Sequence, residues 1–145
     1  METKDFKNVF SEIAKENGFQ KASGCWFKTS KECIVKLDLQ KSNFSNSYYL
    51  NISAYVQDLF GKTYSINKEI ANEFTAIFRR SPKDYDKFLD CESEMNEEDR
   101  KVGLIKLFRD FLVKFVDELL TKSGIKNLSD QKEIFLTEIV KEKLA

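Results

Sequence analysis

The sequence predicts an α+β domain in which an antiparallel sheet of three to four strands packs against an N-terminal helix and two C-terminal helices. Three observations carry this prediction. Apolar residues recur at helical spacing near both ends of the 145-residue chain, strict alternation occupies its middle, and the alternating runs have short connections. A chain of this length builds one hydrophobic core, so we expect a single domain over residues 1–145.

Composition excludes several classes of function. The chain has 24 basic and 24 acidic side chains and no histidine, so no net field directs it to nucleic acid or membrane, and imidazole-dependent catalysis is absent. Its cysteines, Cys25, Cys33 and Cys91, form no Cys-x-x-Cys motif and are predicted to be free, buried thiols. We predict no metal and no cofactor. The charged first residues do not resemble a secretion signal, and we expect a cytoplasmic protein without a membrane span.

Residues 4–16 are predicted to form the first helix. One helical face collects its apolar side chains, which are Phe6, Val9, Phe10, Ile13 and Ala14. Thr3 is available as the N-cap, and Asn17-Gly18 is a typical left-handed stop.

Three strands follow, over residues 25–28, 33–40 and 48–57. Their alternation predicts an inward face of Cys33, Val35, Leu37, Leu39, Leu50, Ile52, Ala54 and Val56. The opposite face carries Lys36, Asp38, Gln40, Tyr49, Asn51, Ser53, Tyr55 and Gln57. With helices on one side of the sheet only, this second face is predicted to be partly open to solvent.

The second half of the chain begins with an ambiguous segment. Residues 73–79 alternate as a fourth strand would, whereas residues 71–80 also fit a helix, and Pro82 ends either element. An acidic stretch over residues 84–99 leads into a long helix that Asn96 caps and Gly124 terminates. Its predicted apolar stripe is Val102, Ile105, Phe108, Leu112, Phe115, Val116, Leu119 and Leu120. Ser129 then caps a last helix with Ile134, Phe135, Ile139, Val140 and Leu144.

The polar, aromatic sheet face is the candidate binding site. It consists of Lys36, Asp38, Gln40, Tyr49, Asn51, Ser53 and Tyr55. Tyrosine offers a large contact area with a polar tip and is enriched at protein interfaces. The alternative is an ordinary exposed face, on which the same residue types make good cross-strand neighbours.

The leading hypothesis is a small cytoplasmic protein-binding module, of accessory or immunity type, with another protein as its partner. A second copy of the chain, paired through a sheet edge, is an alternative partner. An enzyme that uses Lys36, Asp38 and Tyr49 is the second hypothesis. Nucleic-acid binding through the lysine-rich residues 21–41 comes third, because no recognised motif accompanies the basic residues. A calcium loop is rejected, since Met95 and Lys101 occupy the positions of its glycine and glutamate.

Several stretches resemble one family of bacterial proteins. The most specific is LQKSNFSNSYYLNI over residues 39–52, accompanied by Gly18-Phe19, GCWFK over residues 24–28, DKFLD over residues 86–90, EEDR over residues 97–100 and GIKNL over residues 124–128. The chain is similar here to the domain of unknown function 4304 family. Members of that family tend to carry a Cys-His pair near the fourth strand, where this chain has Asn72-Glu73-Phe74. The resemblance implies this fold and a bacterial, cytoplasmic setting, and it provides no activity, substrate or catalytic residue to carry over to this chain.

Overall fold

The computed structural model describes residues 1–145 and contains a five-stranded antiparallel sheet. The strands are β1 (Gln20–Ala22), β2 (Cys25–Thr29), β3 (Cys33–Lys41), β4 (Tyr48–Val56) and β5 (Ile77–Arg80). Their order in the sheet is β1-β2-β3-β4-β5, so each strand pairs with its neighbours in the chain. The predicted α+β fold is confirmed. The predicted strand count is too low because β1 has only three residues, too few to show alternation.

Six α-helices surround this sheet. They are α1 (Thr3–Glu16), α2 (Lys68–Asn72), α3 (Glu97–Leu107), α4 (Val113–Leu119), α5 (Lys122–Asp130) and α6 (Glu138–Leu144). A 3-10 helix spans Lys83–Leu89, and a π-helical turn at Phe108–Leu112 joins α3 to α4. None of these helices is long and apolar enough to cross a membrane.

The main core lies between the helices and the inner face of the sheet, which carries the predicted inward residues of β3 and β4. Aromatic rings from three elements meet there: the ring of Phe10 lies 4.8 Å from Trp26 and 5.3 Å from Phe108. Trp26 is buried, and its indole N–H donates to Ser11 Oγ at 3.1 Å. The buried indole donor is therefore satisfied, as a dry core requires.

The N-terminal helix α1 agrees with the prediction except at its first residue. Asn17 and Gly18 end the helix, and Gly18 has φ +88°, a conformation that glycine adopts without strain. Thr3, predicted as the N-cap, instead lies inside the helix and donates through Oγ1 to Asn46 Oδ1 at 2.9 Å. The prediction was wrong because this hydroxyl tethers α1 to the turn between β3 and β4.

The N-cap predicted for α3 is confirmed, since Asn96 Oδ1 accepts from the Asp99 N–H at 2.8 Å. The buried face of α3 differs from the predicted stripe. Val102 and Ile105 are 44% and 39% exposed, whereas Arg100 and Gly103 are buried. Arginine and glycine do not mark a core face by hydropathy, which is why the prediction chose the wrong residues.

Both of these residues hold the 3-10 helix against α3. The fully buried Arg100 donates to the Phe88 carbonyl at 3.2 Å and to Ser93 Oγ at 2.9 Å. A Cβ on Gly103 would lie 2.1 Å from Phe88 Cδ1, so only glycine lets the Phe88 ring approach. The packing of the 3-10 helix therefore depends on a polar residue and a missing side chain.

Helix boundaries near the C-terminus also differ from the prediction. Thr121 Oγ1 accepts from the Gly124 N–H at 2.9 Å, so a new helix begins where glycine was expected to end one. Ser129 lies inside α5, and Thr137 caps α6 instead. Phe135 consequently belongs to the segment between α5 and α6, where its side chain is 80% exposed.

The ambiguous segment is both helical and extended. Residues 68–72 form α2, and the strand begins only at Ile77. Ile77 is buried and lies opposite Ala54, while Phe78 lies opposite Ser53. The strand alternative is therefore correct for residues 77–79 and the helix alternative only for residues 71–72, whereas residues 73–76 belong to neither element.

Candidate binding groove on the outer sheet face

The seven predicted site residues share the sheet face that is turned away from the main core, which we call the outer face. Strand register places them in pairs: Lys36 opposite Ser53, Asp38 opposite Asn51, and Gln40 opposite Tyr49. Tyr55 follows on β4 opposite Ile34. The alternation of β3 and β4 thus predicted the shared face correctly.

One half of the outer face is not open to solvent. The chain between β4 and β5, residues 57–76, folds back over it, and we call this segment the cover. A second apolar cluster lies between the sheet and the cover: the sheet contributes Cys25, Phe27, Ile34 and Tyr55, and the cover contributes Ile70. Tyr55 is 1% exposed, so its prediction as a surface contact was wrong. The weak pattern of the cover gave no sign that it would bury this tyrosine.

Two polar side chains of the sheet hold the cover in place. Lys36 is 6% exposed, and its ammonium donates to the carbonyls of Ile70 and Ala71, at the end of α2, at 3.0 and 3.1 Å. The Tyr55 hydroxyl donates to the carbonyl of Glu73. Burial lowers the pKa of Lys36 and raises that of Tyr55. Lys36 therefore satisfies helix carbonyls and is not a free surface cation.

The other half of the outer face forms the floor of a groove of about 710 Å³. Five predicted residues line it: Lys36, Asp38, Gln40, Asn51 and Ser53. Residues 71–76 form one wall, and Phe78 and Phe135 also border it. The groove therefore brings most of the predicted site together.

A hydrogen-bond network orders one end of the groove floor. The Asn51 amide donates to Gln40 Oε1 at 3.0 Å, and Arg80 Nε donates to Asn51 Oδ1 at 3.3 Å. The Arg80 guanidinium lies 4.0 Å from the centre of the Tyr49 ring. Tyr49 is 40% exposed but lies outside the groove lining.

Three exposed phenylalanines rim the groove. Phe74, Phe78 and Phe135 are 97%, 47% and 80% exposed, and they come from the cover, β5 and the α5–α6 connection. The sequence pattern predicted Phe74 and Phe78 in a strand or, alternatively, in a helix, and Phe135 on a helix. None of the three was predicted as a site residue. No local pattern distinguishes them, because the fold alone brings the three segments together.

A second cleft extends the groove. It has a volume of about 510 Å³, runs along residues 129–136, and shares Phe78 and Phe135 with the first. The two clefts together form an elongated surface beside β5, which is the last strand of the sheet.

Of the three residues proposed for an enzymatic site, Lys36 and Asp38 line this groove, whereas Tyr49 lies outside it. Lys36 lies opposite Ser53, four residues along β4 from Tyr49, a separation of roughly 13 Å.

Burial, together with Asp38, raises the pKa of Cys25 to about 11, and burial raises that of Cys33 to about 12. All three cysteines are buried free thiols, as predicted, and at neutral pH these two are protonated.

The fold and the groove define a small α+β domain, in which one face of an antiparallel sheet packs against the N-terminal and C-terminal helices and the other carries the cover, with the short helix α2, and an aromatic-rimmed groove. The chain belongs to the family described as Domain of unknown function (DUF4304), whose model matches residues 10–118. This match confirms the resemblance seen in the sequence. It includes the groove floor, Phe74 and Phe78, whereas Phe135 lies beyond it. No curated protein and no solved structure matches the chain.

Proposed function

We propose that the protein is a small protein-binding module, of accessory or immunity type, and that the groove receives its partner. The observation that carries this proposal is the presence of three exposed phenylalanines at the rim of the groove, Phe74, Phe78 and Phe135. Complete burial of one such side chain contributes roughly 1.5–3 kcal/mol. Single exposed apolar residues are common, but a cluster beside a groove is typical of an interaction site.

The shape of the surface favours a polypeptide as the partner. The groove is open to solvent and continues past Phe78 and Phe135 into the second cleft, whereas sites for small molecules enclose most of their ligand. The Ser81 N–H donates to the Leu50 carbonyl of β4. Because residues that bond to the neighbouring strand alternate with residues that do not in an antiparallel pair, the main-chain N–H and C=O groups of Phe78 and Arg80 point away from β4. A partner's extended segment has main-chain donors and acceptors to match them.

The proposed setting is the bacterial cytoplasm. Three cysteines remain free thiols within the core regions, which suits a reducing compartment. Family membership adds nothing about the activity or the partner, because the description of the family states no function.

The experiment is affinity capture of the tagged chain from its native cells, with nuclease treatment and mass spectrometry. Capture by the wild-type chain is compared with capture by a Phe74→Ser, Phe135→Ser double variant. We expect one dominant protein with the wild type and its loss with the double variant, because two apolar anchors are removed.

Phe44→Ser is the matched control. Phe44 is 97% exposed, as Phe74 is, but it lies outside the groove lining, so this variant should retain the partner. A partner that stays on the double variant, or that the control also loses, would contradict the proposed site. Sedimentation of the purified chain identifies the case in which the partner is a second copy.

A further inference from the structure

Asp38 is the carboxylate of the groove floor that forms no ion pair. Its carboxylate accepts from the Cys25 thiol at 3.8 Å and from the Asn51 amide at 3.4 Å, and both contacts are long. All four ion pairs of the chain involve other residues. Its side chain is only half-buried, so the carboxylate retains acceptor capacity toward the groove.

The cations nearest to Asp38 are already engaged. Lys36 is buried and donates to the carbonyls that end α2. Arg80 lies on the far side of Asn51, donates to the amide oxygens of Asn51 and Gln40, and stacks on an aromatic ring. The carboxylate that faces the open groove therefore forms no ion pair within the chain. The Lys36 ammonium lies on the same face, where burial lowers its pKa and Asp38 opposes that effect, but its hydrogen bonds go to the carbonyls of α2.

The second acidic residue of the groove differs from Asp38 in this respect. Glu73 lies in the wall formed by the cover, and its carboxylate pairs with Lys62 at 2.6 Å. The groove thus presents on its floor one carboxylate without an ion pair, and apolar rings on its rim.

The same chain shows how this combination holds a cation elsewhere. The Arg79 guanidinium lies 5.1 Å from the Phe111 ring centre and 5.3 Å from that of Phe115. It also donates to the Glu133 carboxylate at 2.9 Å. Aromatic faces and a carboxylate therefore form a guanidinium site within this fold, and the groove offers both kinds of group without an occupant from the chain.

We propose that the groove binds a basic side chain of the partner protein, preferably an arginine flanked by apolar residues. This inference rests on the proposed function and specifies the partner's chemistry. The positive head group pairs with Asp38, and the apolar stem and its flanking residues pack against Phe74, Phe78 and Phe135. A guanidinium is preferred because its planar face stacks on aromatic rings while its edge donates to a carboxylate.

Two capped peptides test this proposal. Each is titrated into the full chain, and the NMR chemical shifts of the protein's backbone amides are followed. One is acetyl-Leu-Arg-Leu-amide, and the other has citrulline, a neutral isostere, in place of arginine. We expect saturable shifts at β3, β4 and β5, with the citrulline peptide about tenfold weaker, because a hydrogen bond to a charged group is lost. Asp38→Asn should weaken the arginine peptide about tenfold and leave the citrulline peptide unchanged.

Asp117→Asn is the matched control for the change in net charge. Asp117 is exposed on α4 and its carboxylate has no hydrogen bond, so this variant should retain the preference for arginine. Equal affinity for the two peptides, an unchanged preference in Asp38→Asn, or no saturable binding of the arginine peptide would overturn the inference.

The captured partner provides a second readout that separates the two proposals. Asp38→Asn should reduce its retention, whereas Asp117→Asn should not. If retention of the partner depends on Phe74 and Phe135 but is unchanged by Asp38→Asn, the protein-binding proposal stands and the inference of a basic side chain in the groove is overturned. A partner that is indifferent to all of these changes overturns both.

Discussion

The two faces of the central sheet are stabilised in different ways. Helices cover the inner face. Its side chains, such as Val35, Leu37 and Ile52, are fully buried in one continuous apolar core. The outer face is covered only over one half, and polar groups hold that cover: the ammonium of Lys36 and the hydroxyl of Tyr55. Its remaining half stays open.

Along single strands, this difference separates residues that stabilise the core from residues that line the proposed binding groove. On β3, Leu37 points into the main core, while its neighbours Lys36 and Asp38 point to the cover and to the groove. Consecutive side chains of a strand alternate between faces, so adjacent positions serve unrelated tasks. Substitutions on the two faces should therefore differ in both size and kind of effect.

The largest effect is expected at the inner face. Leu37→Ala removes a fully buried side chain from the main core and should lower the free energy of unfolding by about 2–5 kcal/mol, because it leaves a cavity that neighbouring strands only partly fill. Urea denaturation measures this change. A loss below about 1 kcal/mol would show that the inner face tolerates cavities and would remove the contrast with the outer face.

An intermediate effect is expected beneath the cover. Tyr55→Phe keeps the buried ring but leaves the Glu73 carbonyl without its donor, and should lower the free energy of unfolding by about 1 kcal/mol. The loss should be local. Hydrogen exchange is expected to quicken at α2, whose end packs over Tyr55, more than at β3. Equal acceleration in both elements would mean that the cover and the core open as one unit.

The smallest effect on stability is expected at the groove rim. Phe74→Ser replaces a side chain that is 97% exposed and should change the free energy of unfolding by no more than about 0.5 kcal/mol. Thermal unfolding of the variant checks this value. A large destabilisation would reveal that Phe74 packs within the chain in solution, and its role in partner capture would then need another explanation.

The sequence predicted the elements in which a local pattern carries the information. Strict alternation assigned most side chains of β3 and β4 to the correct face, and Asn96 marked the start of α3. Local caps were less decisive toward the C-terminus, where Gly124 suggested a stop but the Thr121 side chain begins a helix there. Two capping signals competed within four residues, and the pattern alone could not rank them.

The sequence predicted which residues form the floor of the candidate site, but it did not predict which of them solvent can reach. Asp38, Gln40 and Asn51 line the groove as expected, whereas Tyr55 is buried by a segment whose own pattern is weak. Accessibility depends on contacts between residues distant in the chain, as between Lys36 and Ile70. Phe135 reached the rim for the same reason, through a loop that the periodicity assigned to a helix.

The strand order carries a consequence for how the molecule folds. Because each strand pairs with its chain neighbour, β3 and β4 can close as a hairpin before any distant segment arrives. The docking of α1 onto α3 closes a far longer loop and should limit the folding rate. A chain with its strands paired and its helices not yet docked would expose the apolar inner face of the sheet, and we expect this state to be the one most prone to self-association.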